Sequence, residues 1–333
     1  MNNNKKEDKS SDPIVSVIIV NYNGSSLLKQ CLDSLLETEY PAFETILVDN
    51  NSSDDSVQIV KEHFPSCKII QLPENRGFAL GNNIGASYAT GKYLAFLNND
   101  TTVTPQWLKE LVSVMENDQD VAITQSMLLK PIENDIDSTG DFATRFGRTY
   151  NSKQKGFKSP REILSARGAA MAIRKEIFEQ LGGFDKDYFI SFEDVELGWK
   201  AWICGYKVVM IPSSIVYHKA GSTMSKMSAL ITFHGLKNQL SLITTHFETG
   251  LAIRNIVVVL FSLFFAFIAL VFNIGRGKQS FSVDKKAAMK AIFWYLGNLP
   301  AIWKKHSRLN ATRKRSTREL ISLGLITKKI NDQ

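Results

Sequence analysis

Four short stretches carry residues whose types suit work on a charged ligand. The run 98-NND-100 closes the apolar segment YLAFLN on one carboxylate, Asp100. Hard divalent cations such as Mg²⁺ take oxygen ligands and need few from the protein when a substrate phosphate supplies the rest. Asp100 suits that economy, or it is a turn residue ahead of a capped helix. His218 follows Ile215-Val216-Tyr217. A neutral imidazole ligates Mn²⁺ well, and a polar strand-edge histidine is the plain alternative. Glu193-Asp194 follows the aromatic stretch 188-YFISF-192. A partly desolvated carboxylate there can act as a general base, although the dipole of a helix starting at this point favours acids anyway. Asp49 ends 45-TILVD-49 and can accept ligand N–H groups or merely open a loop.

The elements that must position these residues are legible as pattern. The segments 14-IVSVIIV-20, 45-TILVD-49, 68-KIIQL-72 and 93-YLAFLN-98 are short apolar runs, as expected of strands covered on both faces. Helical spacing separates them at 27–36 and 56–64, and a Gly/Asn-rich loop runs into a helix over 73–91. The alternation predicts an α/β fold with a mostly parallel central sheet. Ligands of such sheets sit beyond the carboxyl ends of the strands, here Asn21–Asn23, Asp49–Asn51, Glu74–Gly77 and Asn98–Asp100. The first strand leads into NYNGSS rather than GxGxxG, 81-GNNIG-85 has the wrong spacing, and no Walker A lysine motif occurs, which argues against dinucleotide and P-loop chemistry. Farther on, Thr104 is expected as a helix N-cap and Pro105 as the first helical residue. Residues 131–160 read as a long mobile loop, followed by a strand at 168–174, helices at 174–183 and in the second half of 184–205, and a strand at 207–212.

The chain has 333 residues and a net charge of +7, unevenly spread. After Asn273, fourteen basic residues face three acidic ones, about +11, which leaves about −4 for the rest. Cys31, Cys67 and Cys204 are far apart and read as buried reduced thiols. Residues 1–13 read as a flexible leader, 14–245 as the main domain and 246–333 as an appended hydrophobic and basic helical region. Within that region 256–272 has only Ser262 as a polar residue, a run just short of the roughly 20 residues a membrane span needs. The stretch 287–303 carries Trp294, Tyr295 and Trp303, residue types common at membrane interfaces. A single crossing would place the basic tail against the positive-inside tendency. A hairpin, a re-entrant pair or interfacial helices on anionic lipids are therefore expected, with a buried core helix as the alternative. The tail lacks RNA-binding motifs, so no nucleic-acid partner is expected.

Order and spacing together say more than any single residue. VSVIIVNYNG, ILVDNNSSDDS, NRGFALGNNIGA, YLAFLNNDTTVTPQWL, the block GAAMAIR through GWKAWICGY, and HKAGS closely resemble the family 2 glycosyltransferases with the GT-A fold. Within them the sequence looks most like the bacterial rhamnosyltransferase-like subgroup, over about residues 14–245. The resemblance implies that Asn21, Tyr22 and Asn23 lie against a nucleoside and that Asp49 binds its base. Asn75, Gly77, Asn83 and Asn99 would border the nucleotide. It implies Asp100 and His218 as ligands of Mn²⁺ or Mg²⁺, and Asp194, beside Glu193, as the catalytic base. Gly168, Ala169 and Trp199 would lie near the donor sugar and acceptor. One departure stands out: the family's DxD motif is Asn98-Asn99-Asp100 here, so its first carboxylate is absent. The activity implied is inverting transfer from a nucleotide-diphospho-sugar, dTDP-rhamnose or a UDP-hexose, in cell-surface polysaccharide synthesis. The acceptor would be a glycan or a polyprenyl-diphosphate-linked sugar at the cytoplasmic face of the membrane, with anionic lipids as partners. A catalytically silent, membrane-anchored nucleotide-sugar-binding scaffold is the other reading.

Overall fold

The structure, a computed structural model, describes residues 13–133, 135–219, 228–271 and 284–328, with the side chains of 228 and 263–271 excepted. The expected leader up to residue 12, the end of the HKAGS segment from residue 220, and the stretch 272–283 lie outside these residues.

The first half alternates as its pattern requires: β1 (Val15–Asn21), α1 (Ser25–Leu36), β2 (Phe43–Asp49), α2 (Ser56–His63), β3 (Lys68–Gln71), α3 (Gly77–Ser87) and β4 (Tyr93–Asn98). The helices serve as crossovers, so β4, β1, β2 and β3 lie side by side and parallel. Ile18, Val48 and Phe96 face one layer of the core, while Val17, Ile19, Leu47 and Leu97 face the other. This two-residue alternation, apolar on both faces, is what a sheet covered by helices on each side demands. Leu28, Leu32 and Leu35 of α1 are buried beneath the sheet, each worth about 1.5–3 kcal/mol.

The second half continues with β5 (Thr101–Val103), α4 (Trp107–Asn117), β6 (Val121–Leu129), β7 (Ile136–Ser138), β8 (Asp141–Thr144), β9 (Thr149–Asn151), β10 (Arg161–Glu162), β11 (Ala170–Arg174), α5 (Lys175–Gln180), α6 (Glu193–Ile203) and β12 (Lys207–His218). The main sheet runs β10-β12-β6-β11-β4-β1-β2-β3, with β5 on β12 and β7 on β6. It is mixed rather than mostly parallel, because β11 is antiparallel to both β4 and β6. A parallel neighbour needs a crossover helix, and no helix lies between β6 and β11.

Two local expectations change. The expected mobile loop at 131–160 contains β7, β8 and β9, strands too short for periodicity to reveal; β7 pairs with β6 and β8 with β9, while β8 is also held by a strand far along the chain. Thr104 does not cap α4; that helix starts at Trp107 without a side-chain cap, and the Thr104 hydroxyl donates to Ile215 O at 2.9 Å.

The C-terminal region forms α7 (Ser228–His246), α8 (Thr249–Val271), α9 (Lys285–Ala311), α10 (Thr317–Ser322) and β13 (Ile326–Thr327). β13 pairs with β8, which pairs with β9, in a second, three-stranded sheet. Among the described residues no helix is long and apolar enough to cross a membrane.

Candidate functional site

Register places the polar strand ends together. Asn21 lies opposite Asp49 across β1 and β2, and Val20 lies opposite Asn98 across β1 and β4. Asn21 is fully buried; its amide donates to Ser52 Oγ at 3.1 Å and accepts from Asn99 Nδ2 at 2.7 Å. Asn23 takes the left-handed conformation with φ of 51°, and its side-chain oxygen accepts from Ser53 N at 2.7 Å. Tyr22 beside it is exposed. Asp49 Oδ2 accepts from Ser52 N at 3.1 Å, while its Oδ1 is buried without a hydrogen-bond partner. A buried acceptor left so is costly, and a ligand N–H would satisfy it. Asn75 accepts from Asn50 Nδ2 and from Gly77 N, both at 2.9 Å, and so shapes the loop. Gly77, at φ of 76°, must be glycine because a Cβ would strike Phe189 O.

The next group is built by a turn and a long strand. After β4 the chain reverses into β5, which pairs antiparallel with the end of β12 and sets His218 opposite Thr101. His218 Nε2 then lies 3.4 Å from Asp100 Oδ1. On its other side Nδ1 meets Asp137 Oδ2, from β7, at 2.9 Å. Burial by itself works against protonating His218, but its bonds to Asp100 and Asp137 and their charges outweigh it and bring the imidazole up to about 9. Asp100 Oδ1 is buried and receives no hydrogen bond apart from the long 3.4 Å contact with His218 Nε2. These residues fit a divalent cation: Asp137 would hold the Nδ1 proton, leaving the Nε2 lone pair and the Asp100 oxygen side by side, an arrangement typical of metal-binding histidines. Among the described residues no group of three or more histidine, cysteine or acidic side chains could hold a metal by itself.

Glu193 and Asp194 open α6 after Ser191 and Phe192, both left-handed at φ of 71° and 70°, a conformation that costs energy in non-glycine residues. The surroundings enforce it: Asn238 of α7 donates to Ile190 O and Ser191 O at 3.0 and 2.7 Å, and Phe189 O accepts from Phe78 N at 2.9 Å. Lys305 of α9 bonds Asp185 and Asp187 at 2.5 and 2.7 Å. The two acids then differ. Glu193 is 7% exposed, and burial, followed by the Asp194 charge, pushes its carboxyl well above the usual range. Asp194 is half-buried; its Oδ2 accepts from Gly168 N at 3.1 Å and its Oδ1 from Val195 N at 2.8 Å. Gly168 has no room for a side chain, since a Cβ would meet the Phe78 ring at 2.9 Å. Ala169 O accepts from Asn98 N at 3.0 Å, which ties this segment to the end of β4.

Two expected site residues are placed elsewhere. Trp199 is fully buried, packed 5.1 Å from the Phe247 ring and 5.5 Å from His246, so it supports α6 from behind and cannot reach a sugar. Asn83 spends both ends of its amide on Phe184, donating to O at 2.7 Å and accepting from N at 3.0 Å. It clamps the loop that leads towards Asp194. Asp137, Asp141 and Arg167 are prominent charged residues that sequence reasoning missed. Asp137 and Asp141 fall within the misread 131–160 stretch, and nothing local to Arg167 signals its partner.

The family described as glycosyl transferase family 2 matches residues 16–182. The chain belongs to this family. Among curated relatives of this family 2 chain, the O-antigen biosynthesis protein RfbC of Myxococcus xanthus is 32% identical over 234 residues, covering 63% of this chain and 18% of RfbC. The glycosyltransferase AglE of Haloferax volcanii is 27% identical over 216 residues, covering 63% of this chain and 68% of AglE. The chain thus spans less than a fifth of RfbC. Solved structures share the fold. GalNAc-T7 with UDP, GalNAc and Mn²⁺ superposes with a TM-score of 0.58 at 21% identity, over 70% of this chain and 48% of that one. Staphylococcus aureus TarS with UDP-GlcNAc gives 0.57 at 16% identity, over 96% and 94%.

Proposed function

We propose that this chain is an inverting glycosyltransferase that moves a sugar from a nucleotide-diphospho-sugar, dTDP-rhamnose or a UDP-hexose, to a lipid-linked or saccharide acceptor in cell-surface polysaccharide synthesis. The observation that carries the reading is the pairing of two charged groups around one set of strand ends. On one side are Asp100 and His218 with Asp137 behind them; on the other is Asp194, its carboxylate fixed by two backbone N–H groups. Asp49, with one unsatisfied oxygen, supports recognition of a base N–H in the same row.

Asp100 and His218 would hold Mn²⁺ or Mg²⁺, which when bound neutralises a diphosphate and makes it a better leaving group. Asp194 takes the proton from the acceptor hydroxyl as that oxygen attacks the anomeric carbon. One displacement inverts the configuration, with no second carboxylate needed as nucleophile. Glu193, held protonated by burial, is a poor competitor for that proton.

We infer a working position at the cytoplasmic face of a membrane with anionic lipids. Ile253 and Val257 of α8 and Met289, Phe293 and Leu296 of α9 are exposed, at the spacing of a helix face. Lys285, Lys286 and Lys290 are exposed beside them, and α9 contains no acidic residue. An apolar stripe rimmed by cations suits an anionic bilayer surface and repels a second copy of itself.

The test is a panel of nucleotide-sugars with Mn²⁺ or Mg²⁺, scored for binding and slow hydrolysis. Hydrolysis of one donor, lost in Asp194→Asn while nucleotide binding persists, is expected. Donor binding without turnover in the unaltered chain, with every acceptor tried, would instead establish a silent binding scaffold.

A further inference from the structure

A charged pair, a buried acid with a partly exposed base, stands behind the Asp194 carboxylate and has no part in the transfer as described. Asp141, the first residue of β8, is 5% exposed. Its Oδ1 accepts from Arg167 Nη2 at 3.1 Å and from Nε at 3.3 Å. Burial pushes Asp141 up to about 6, against the pull of the Arg167 guanidinium. The Arg167 main-chain N–H donates to Gln125 Oε1 at 2.8 Å, and Gln125 is itself fully buried. Three further bonds connect Asp141 to the chain around Arg167: its N–H donates to Ser165 O at 3.0 Å, and its O accepts from Leu164 N and Ser165 N at 3.1 and 3.2 Å.

The same short segment holds Asp194. Ser165 Oγ donates to Asp194 O at 2.7 Å, and Gly168 N donates to Asp194 Oδ2 at 3.1 Å. Residues 165–168 therefore form a bridge, fastened to Asp141 at one end and to Asp194 at the other, with Arg167 as its side-chain fastening. A buried ion pair is a poor device for stability, since well-packed apolar residues of similar size often serve as well or better. Its value here lies in fixing where the Gly168 N–H points.

We propose that Arg167, locked to Asp141, is a positioning residue for glycosyl transfer: it aims the Gly168 N–H so that the Asp194 carboxylate is held in one orientation towards the acceptor hydroxyl. This rests on Asp194 as the base. Arg167 makes no hydrogen bond to Asp49, Asp100 or His218 and reaches that side only through its charge on Asp137, so donor binding should sense it far less than turnover does. Misplacing a reacting group by about 1 Å can cost about 100-fold in rate.

The experiment is steady-state kinetics on the full chain with a donor that it turns over. Arg167→Met and Asp141→Asn should each lower kcat by about 10- to 100-fold while donor KM and nucleotide affinity change little; Arg167→Met should also lower Tm, because it leaves the buried Asp141 carboxylate without its partner. Arg167→Lys, which keeps the cation but not the two-point hold, should recover part of the loss. A rise in donor or acceptor KM at unchanged kcat would overturn positioning, as would unchanged kinetics in Arg167→Met. Should Arg167→Met fail to fold, Arg167→Lys still decides: unaltered kcat overturns the proposal. Asp194→Asn, measured alongside, separates the two ideas, because its retaining full turnover would remove the base assignment itself.

Discussion

In the cation site proposed at Asp100 and His218, Asp137 would be the residue that makes a sparse pair of ligands adequate. One carboxylate and one imidazole bind a divalent ion weakly unless the imidazole is held in the right tautomer, and the 2.9 Å contact from Asp137 to Nδ1 does this. Asp137→Asn is expected to weaken Mn²⁺ binding by about 10- to 100-fold, read by calorimetry in the presence of a nucleoside diphosphate. Asp100→Ala should be worse still, and Asn98→Ala mild. Because His218 without a cation stays protonated up to about 9, binding must displace a proton. Apparent Mn²⁺ affinity should therefore climb as pH rises towards that value and level off above it; a flat profile between about pH 6 and 8 would refute His218 as a ligand. Glu193 gives a second pH signature with the opposite sense. Its carboxyl holds a proton to higher pH when folded than when unfolded, so stability is lost as pH rises above the unfolded value near 4.3. Glu193→Gln removes that penalty. Its gain in Tm should be larger at about pH 8 than at about pH 5.

At the scale of elements, β12 does the most to assemble the site. It runs from Lys207 to His218 with a shift in register between Ile211 and Ile215, and its far end carries His218 to β5. The sequence pattern reveals β12 as two pieces, 207–212 and 215–218, because Pro212-Ser213-Ser214 interrupts the apolar run. The four parallel strands of the first half were legible, since each is a short apolar run joined to the next by a helix, although the edge strand β3 is only half-buried. Asp49, Asp100, Asp194 and His218 could be singled out as candidates, because each lies at or beside the end of an element. The small sheet carrying Asp141 was not legible, because strands of three or four residues have no readable period and its third strand, β13, comes from far along the chain. The helices α8 and α9 carry their own test. Phe293→Glu with Leu296→Glu should abolish sedimentation with vesicles containing anionic lipid and leave donor hydrolysis intact. Binding to neutral vesicles alone, or no loss in the double variant, would rule out the lysine-rimmed stripe as the docking face.

At the scale of the whole molecule, the C-terminal region is part of the catalytic unit's framework. Leu320, Leu325 and Ile326 are buried to within 1%, Lys305 fastens the loop ahead of Asp194, and β13 extends the sheet of Asp141 through Ile326 opposite Ala143. Removing residues 316–328 leaves every expected ligand and base in place. It strips apolar side chains worth about 1.5–3 kcal/mol each, and should lower both Tm and turnover, measured side by side on the shortened chain.

That pairing also gives the protein an order of assembly in time. Strand β8 emerges from the ribosome long before β13, its neighbour nearly two hundred positions later. While translation continues, the sheet behind the Arg167 bridge lacks its last strand, even though Asp100, Asp194 and His218 have already been made. A growing chain halted before Ile326 should then hold nucleotide but transfer sugar slowly.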